Sequence, residues 1–219
     1  LIDGSAIAAD IRAEIKARVD ALYIGAGRRP GLATVLVGED PASQAYVRMK
    51  GKNSVEVGME SFSYKLPAAA SQEEVEGLVR ELNANPAVNG ILVQLPLSKH
   101  LDEEAILGAI SLEKDVDGFH PVNIGRLVMK GRQPLFIPCT PKGCMELLRR
   151  SGVKLEGANA VVLGRSNIVG MPVAALLLHA NATVTTCHSR SKDLPGICRG
   201  ADILVAAVGR AEMVKADWI

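Results

Sequence analysis

The chain of 219 residues is 48% hydrophobic and 22% charged, long enough for one large domain or two small ones with real cores, and too apolar for disorder. A formal net charge of +1 argues against a dedicated nucleic-acid or acidic-membrane surface, and 3% aromatic content leaves little for base stacking. Small-molecule chemistry is the expectation that remains, with neither nucleic acid nor membrane as a partner.

Ser5 to Val19 carries Ile7, Ile11, Ile15 and Val19 at helical spacing. Leu32–Val37 then reads as a strand, Pro41 to about Val57 as a helix, and Glu60–Leu66 as the next strand. Ser71-Gln-Glu-Glu74 is a capping box that opens a helix to about Asn83. Val88–Leu95 is a third strand, and Asp102–Ile110 a further helix. Such alternation implies a parallel sheet covered on both faces. The glycine- and proline-rich span Gly118–Pro141 breaks the rhythm, which puts a domain boundary near Phe119 and divides the chain into 1–119 and 120–219.

In the second half, a helix over Lys142–Arg150 leads to an apolar strand, Ala160–Leu163, and a turn bracketed by Gly164 and Gly170. Pro172 suits the first turn of the helix that continues through Ala174–Leu178. Ala182–Cys187 and Gly200–Gly209 read as two more strands. The expected fold class is α/β: two α/β domains, the second a Rossmann-type parallel sheet, with an active-site cleft between domains.

The longest apolar runs, Gly90–Val93 ahead of Gln94 and Ile203–Val208, fall far short of the roughly 20 residues a membrane helix requires. No signal peptide is visible, and the chain opens at Leu1 rather than Met. Cys139, Cys144, Cys187 and Cys198 show neither C-x-x-C spacing nor a companion histidine array. Reduced thiols and no metal site are therefore expected, with a cytoplasmic location, an organelle matrix fitting the thiols equally.

The strand, glycine turn and helix over Ala160–Pro172 point to a nucleotide cofactor, because backbone N–H groups there can approach a pyrophosphate and the helix dipole faces it. The spacing is Gly-x5-Gly rather than G-x-G-x-x-G, so a tight glycine turn in any α/β core stays open as an alternative. NAD-selective folds place an acid about 20 residues past the first glycine. Here that neighbourhood is Cys187-His188-Ser189-Arg190-Ser191-Lys192, with no acid before Asp193. Ser189 and Arg190, with Arg165 in the turn, suit a 2′-phosphate and so favour NADP, against the alternative of a solvated basic loop.

Ligands of open parallel sheets sit beyond the carboxyl ends of the strands. After the first strand, Tyr46 and Lys50 lie four apart on one helical face. Gln94 ends the third strand, and Lys114-Asp-Val-Asp-Gly-Phe119 follows the next helix, with Asp117 favoured over Asp115 as a ligand because it precedes Gly118 at the domain junction. Each has a plainer reading as a surface pair, a strand-end amide or a turn.

Taken together these segments resemble the bifunctional methylenetetrahydrofolate dehydrogenase/cyclohydrolase family over nearly the whole length. The motifs are Pro41-Ala-Ser with Tyr46-Val-x-x-Lys50, Gly90-Ile-Leu-Val-Gln-Leu-Pro-Leu97, Lys114–Phe119, Pro138-Cys-Thr-Pro-Lys-Gly143, Gly164-Arg-Ser-x-x-Val-Gly170 and Ala182–Ser189. The resemblance implies Lys50 as the central catalytic residue, Tyr46 stacking along the folate, Gln94 orienting Lys50, and Asp117 binding the pterin. It implies a folate substrate and NADP contacted by Arg165, Ser166 and Ser189; Gly164, Val169 and Gly170 of the turn and Arg190 after the second strand complete the expected cofactor-binding set, and the exposed edge of the cofactor sheet points to a homodimer. Family members continue past the position of Ile219 with a further strand, a cofactor loop and a last helix, so a trimmed or shortened end is expected. Two rivals remain: another two-domain NADP-dependent oxidoreductase, and a non-catalytic folate- or nucleotide-binding module if the shortened end is native.

Overall fold

The computed structural model describes all residues, 1–219, as two compact units that divide between Pro121 and Val122. The first unit opens on helix α1, Gly4–Ala26, capped by the Asp3 carboxylate, which accepts from the Ser5 and Ala6 amides at 3.1 and 3.0 Å. This helix runs past its expected end at Val19, because the first residue to take a left-handed conformation is Gly27, at φ +68°.

Strand β1 (Gly31–Val37), helix α2 (Pro41–Glu56), strand β2 (Glu60–Leu66), helix α3 (Gln72–Ala84), strand β3 (Gly90–Val93) and helix α4 (Glu103–Gly108) follow in the expected alternation. The capping box of α3 is formed reciprocally: the Ser71 hydroxyl accepts from the Glu74 amide, and the Glu74 carboxylate accepts from the Ser71 amide. All strands pair in parallel in the order β2-β1-β3, with Thr34 of β1 opposite Ser63 and Leu92. Strand β3 is shorter than expected, since Val88 is engaged in a turn with Asn85 and Pro96 cannot continue the ladder. The core packs Ala33, Val35, Ile91 and Val93 of the sheet against Val75, Val79 and Leu82 of α3 and Ile106 of α4.

The second unit repeats this plan. Helix α5 (Pro121–Val128) occupies the span that reads as a break in the sequence. The fully buried Asn123 side chain on α5 accepts from the Leu135 and Phe136 amides at 2.9 and 3.4 Å, which ties the following loop down. Helix α6 (Cys139–Arg150), strand β4 (Asn159–Leu163), helix α7 (Gly170–His179), strand β5 (Thr183–Cys187), helix α8 (Leu194–Arg199) and strand β6 (Ile203–Ala206) complete it. The sheet is again parallel, in the order β5-β4-β6. Neither α5 nor α8 was anticipated: Gly125 interrupts the short apolar pattern of the first, and the second spans only six residues, capped by Asp193 and with Pro195 in its first turn.

In each unit the chain crosses from its first strand to one side and then returns to the other, so the order reverses beside β1 and beside β4. Crevices at such reversals are where open α/β sheets hold ligands.

Candidate active site

In the first unit, Tyr46 and Lys50 stand on α2, whose start is fixed by Asp40: its carboxylate accepts from the Ser43 amide at 2.7 Å. That hydrogen bond holds the Asp40 carboxyl below the usual carboxylate range, so the cap is intact at neutral pH and is lost only as acid drives the pH through this lowered value. Gln94 lies just beyond β3, with its backbone N–H on the Val35 carbonyl at 2.8 Å. Its side-chain amide donates to the neighbouring Leu95 carbonyl at 2.8 Å, which turns the amide oxygen toward Lys50. The Lys50 amine donates to that oxygen at 3.1 Å. The segments that follow β1 and β3 thus meet through these two side chains. Two further N–H donors of the amine stay available beyond this bond. Tyr46, a turn earlier, is 55% exposed and presents an open aromatic face.

In the second unit, a pocket of about 280 Å³ opens at the carboxyl ends of the strands. Leu163–Arg165 line it from the end of β4, Cys187–Ser189 from the end of β5, and Ala207, Val208 and Arg210 from the loop after β6. Gly164, at φ +114°, lies so close to the Ala207 carbonyl that any Cβ would collide with it, and a Cβ on Gly170 would strike the Gly164 carbonyl. Both glycines are therefore required by backbone approach, which explains the Gly-x5-Gly spacing.

Ser166 closes the turn. Its hydroxyl oxygen accepts from the Val169 and Gly170 amides at 3.2 and 3.3 Å, and its carbonyl accepts from Met171. The first donors of α7 are thus satisfied inside the turn, where the sequence reading had them facing an anion. The hydroxyl, with its acceptor capacity used, keeps its proton to donate outward. Ser189 lines the pocket, whereas Arg190 does not, although it is exposed; Arg210, which the sequence reading missed, does. The signal for Arg210 was its place four residues past a parallel strand.

Residues 2–117 match the catalytic domain of the tetrahydrofolate dehydrogenase/cyclohydrolase family, and residues 138–219 match its NAD(P)-binding domain. The chain belongs to the tetrahydrofolate dehydrogenase/cyclohydrolase family. It is 60% identical over all 219 residues to the bifunctional protein FolD 2 of Arabidopsis thaliana, of which it covers 73%. It is 58% identical over the same length to the bifunctional protein FolD of Erythrobacter litoralis, again covering 73%. Among solved structures, the Trypanosoma brucei methylenetetrahydrofolate dehydrogenase-cyclohydrolase complexed with NADP cofactor and inhibitor superposes with a TM-score of 0.97 at 45% identity, over 100% of this chain and 75% of that one.

In this member of the tetrahydrofolate dehydrogenase/cyclohydrolase family, the segment Lys114–Phe119 divides between scaffold and site. Lys114 donates to the carbonyls of Leu82, Asn83 and Asn85 at 3.0, 2.7 and 2.8 Å, covering the end of α3 with a cation. Burial pushes this amine below its ordinary value. Asp115, 2% exposed, accepts from the Phe119 and His120 amides at 3.1 and 2.9 Å and pairs its backbone beside Ile91. Its carboxylate is spent on the loop. Asp117, half-buried in the turn that Asp115 clamps, is the acid of this pair that stays a ligand candidate.

Proposed function

We propose that this protein oxidises 5,10-methylenetetrahydrofolate to the 5,10-methenyl cation with NADP and hydrolyses that cation to 10-formyltetrahydrofolate, both steps carried by Tyr46, Lys50, Gln94 and Asp117. The observation that carries the reading is the Lys50–Gln94 hydrogen bond at 3.1 Å, in a chain that matches both domains of the family.

NADP, when bound, accepts the hydride. The residues present fit it: the glycine approaches leave room beside the turn, Arg165 and Ser189 line the pocket, and no carboxylate lines it to repel a 2′-phosphate. Arg165, Ser166 and Ser189 supply donors, and Gly164, Val169 and Gly170 shape the turn.

Loss of hydride from the one-carbon bridge is assisted by the two nitrogens that flank it, so this step asks the chain chiefly for positioning. The exposed ring of Tyr46 stacks along the folate, and Asp117 accepts from N–H groups of the pterin. Hydrolysis makes other demands. Water adds to the bridge carbon and gives up one proton; the hydroxyl so formed loses the second as the carbon–nitrogen bond opens to leave the formyl carbonyl, and the released nitrogen takes one proton, so that one proton is set free for each cation hydrolysed. Lys50 exchanges these protons, held in place by an uncharged amide that fixes its amine without adding a counter-ion.

Purified protein given methylenetetrahydrofolate and NADP is expected to show methenyl absorbance that rises and then decays to the formyl product. No absorbance change would defeat the dehydrogenase activity, and a failure to speed the decay of the methenyl cation, formed in the assay or supplied directly, would remove the hydrolytic one. A cytoplasmic homodimer completes the proposal. It is supported by the open edge of β5, where Thr183, Thr185 and Thr186 are exposed, and by the lack of any helix long and apolar enough to cross a membrane. Light scattering at the mass of one chain would contradict the dimer.

A further inference from the structure

The pocket of the second unit holds a cation that the turn after β5 does not supply. Arg210 reaches the lining from the loop after β6, alongside Arg165 and Ser189. Gly209, at φ +61°, makes the bend immediately before it. Arg190 stands off the lining, and its backbone N–H donates to His188 Nδ1 at 3.2 Å. None of the chain's ion pairs engages Arg165 or Arg210, and no acid lines the pocket. Two guanidinium groups therefore share one concave site with no internal counter-charge, an arrangement that an anion between them relieves.

Resting on the reading of this pocket as an NADP site, we infer that Arg210 is a specificity-determining residue that binds the 2′-phosphate of the cofactor together with Arg165. Leu194, Val208 and Met213 add apolar lining to the same pocket, suited to a purine face, so that a nucleotide bound there would have its 2′-phosphate within the pocket that the arginines line. The planar fork of arginine matches phosphate oxygens in pairs, and the Ser189 hydroxyl adds a third donor. An arginine on the pyrophosphate would instead favour NADP and NAD alike, and the two cases separate experimentally.

The test is calorimetric titration of the whole protein with 2′,5′-ADP and with 5′-AMP, for the wild type, Arg210→Gln, Arg210→Lys and Arg190→Gln. The wild type is expected to favour 2′,5′-ADP. Arg210→Gln should weaken 2′,5′-ADP roughly 10- to 100-fold and leave 5′-AMP within about 2-fold, with Arg210→Lys intermediate and Arg190→Gln losing less than either. Equal weakening of both nucleotides, an unchanged affinity for 2′,5′-ADP, or a larger loss in Arg190→Gln would overturn the role of Arg210. A wild type that does not prefer 2′,5′-ADP would overturn the NADP reading itself, and this inference with it.

Discussion

The two units place their candidate sites at the same topological position and build them from different materials. In the first, the segments after β1 and β3 are joined by the side chains of Lys50 and Gln94, 44 residues apart in sequence. In the second, the segments after β4 and β6 are joined by backbone: Gly164 lies against the Ala207 carbonyl, and the Ala207 amide donates to the Leu163 carbonyl at 2.7 Å. A site joined by side chains can lose its chemistry while the fold stands. A site joined by backbone cannot lose its glycines without losing its shape.

The largest effect should come from Gly164→Ala, which sets a left-handed backbone and a collision with the Ala207 carbonyl against one added methyl. A loss of about 3 kcal/mol or more in urea denaturation is expected, with NADP binding abolished in parallel. A variant that keeps its stability and binds NADP would break the comparison. Asp115→Ala should cost about 2 to 3 kcal/mol, because it strands the Phe119 and His120 amides. Its KM for folate should rise more than its kcat falls, since it acts on Asp117 only through the turn.

Gln94→Glu sharpens the other side of the comparison. A carboxylate at this distance gives the Lys50 amine a counter-ion where the native chain offers an uncharged amide, so the hydrolytic rate should fall roughly tenfold at neutral pH. Melting temperature and dehydrogenase rate should hardly change. The smallest effect concerns the thiols. Burial raises the Cys187 and Cys198 thiols above their ordinary range and keeps them protonated at neutral pH, whereas Cys139 is exposed. Mass spectrometry after brief iodoacetamide treatment should find Cys139 alkylated first. Earlier labelling of Cys187 would contradict the packing at the end of β5.

The contrast also explains which parts of the molecule were legible in the sequence. Apolar strands and the Ser71–Glu74 capping box follow local rules, so the alternation and the parallel sheets were readable. Helix α5 was not, because a Gly-containing span of eight residues carries too little periodicity and owes its place to the buried Asn123. Candidate residues after the strands could be named from position alone, yet their division of labour could not. Asp115 and Asp117 look alike in sequence, and only the amides of Phe119 and His120 mark Asp115 as the clamp and set it apart from its half-buried neighbour Asp117. Arg190 stood out through its neighbour Ser189, whereas Arg210 sits in a loop whose bend at Gly209 decides where it points.

The most direct measurement is Lys50→Met assayed for the two reactions separately, with folding checked by circular dichroism. Hydrolysis of the methenyl cation should fall by at least roughly 100-fold while hydride transfer stays within about 10-fold of the wild type. Equal loss of both activities in a folded variant would contradict the assignment of Lys50 to the proton transfers of the hydrolytic step.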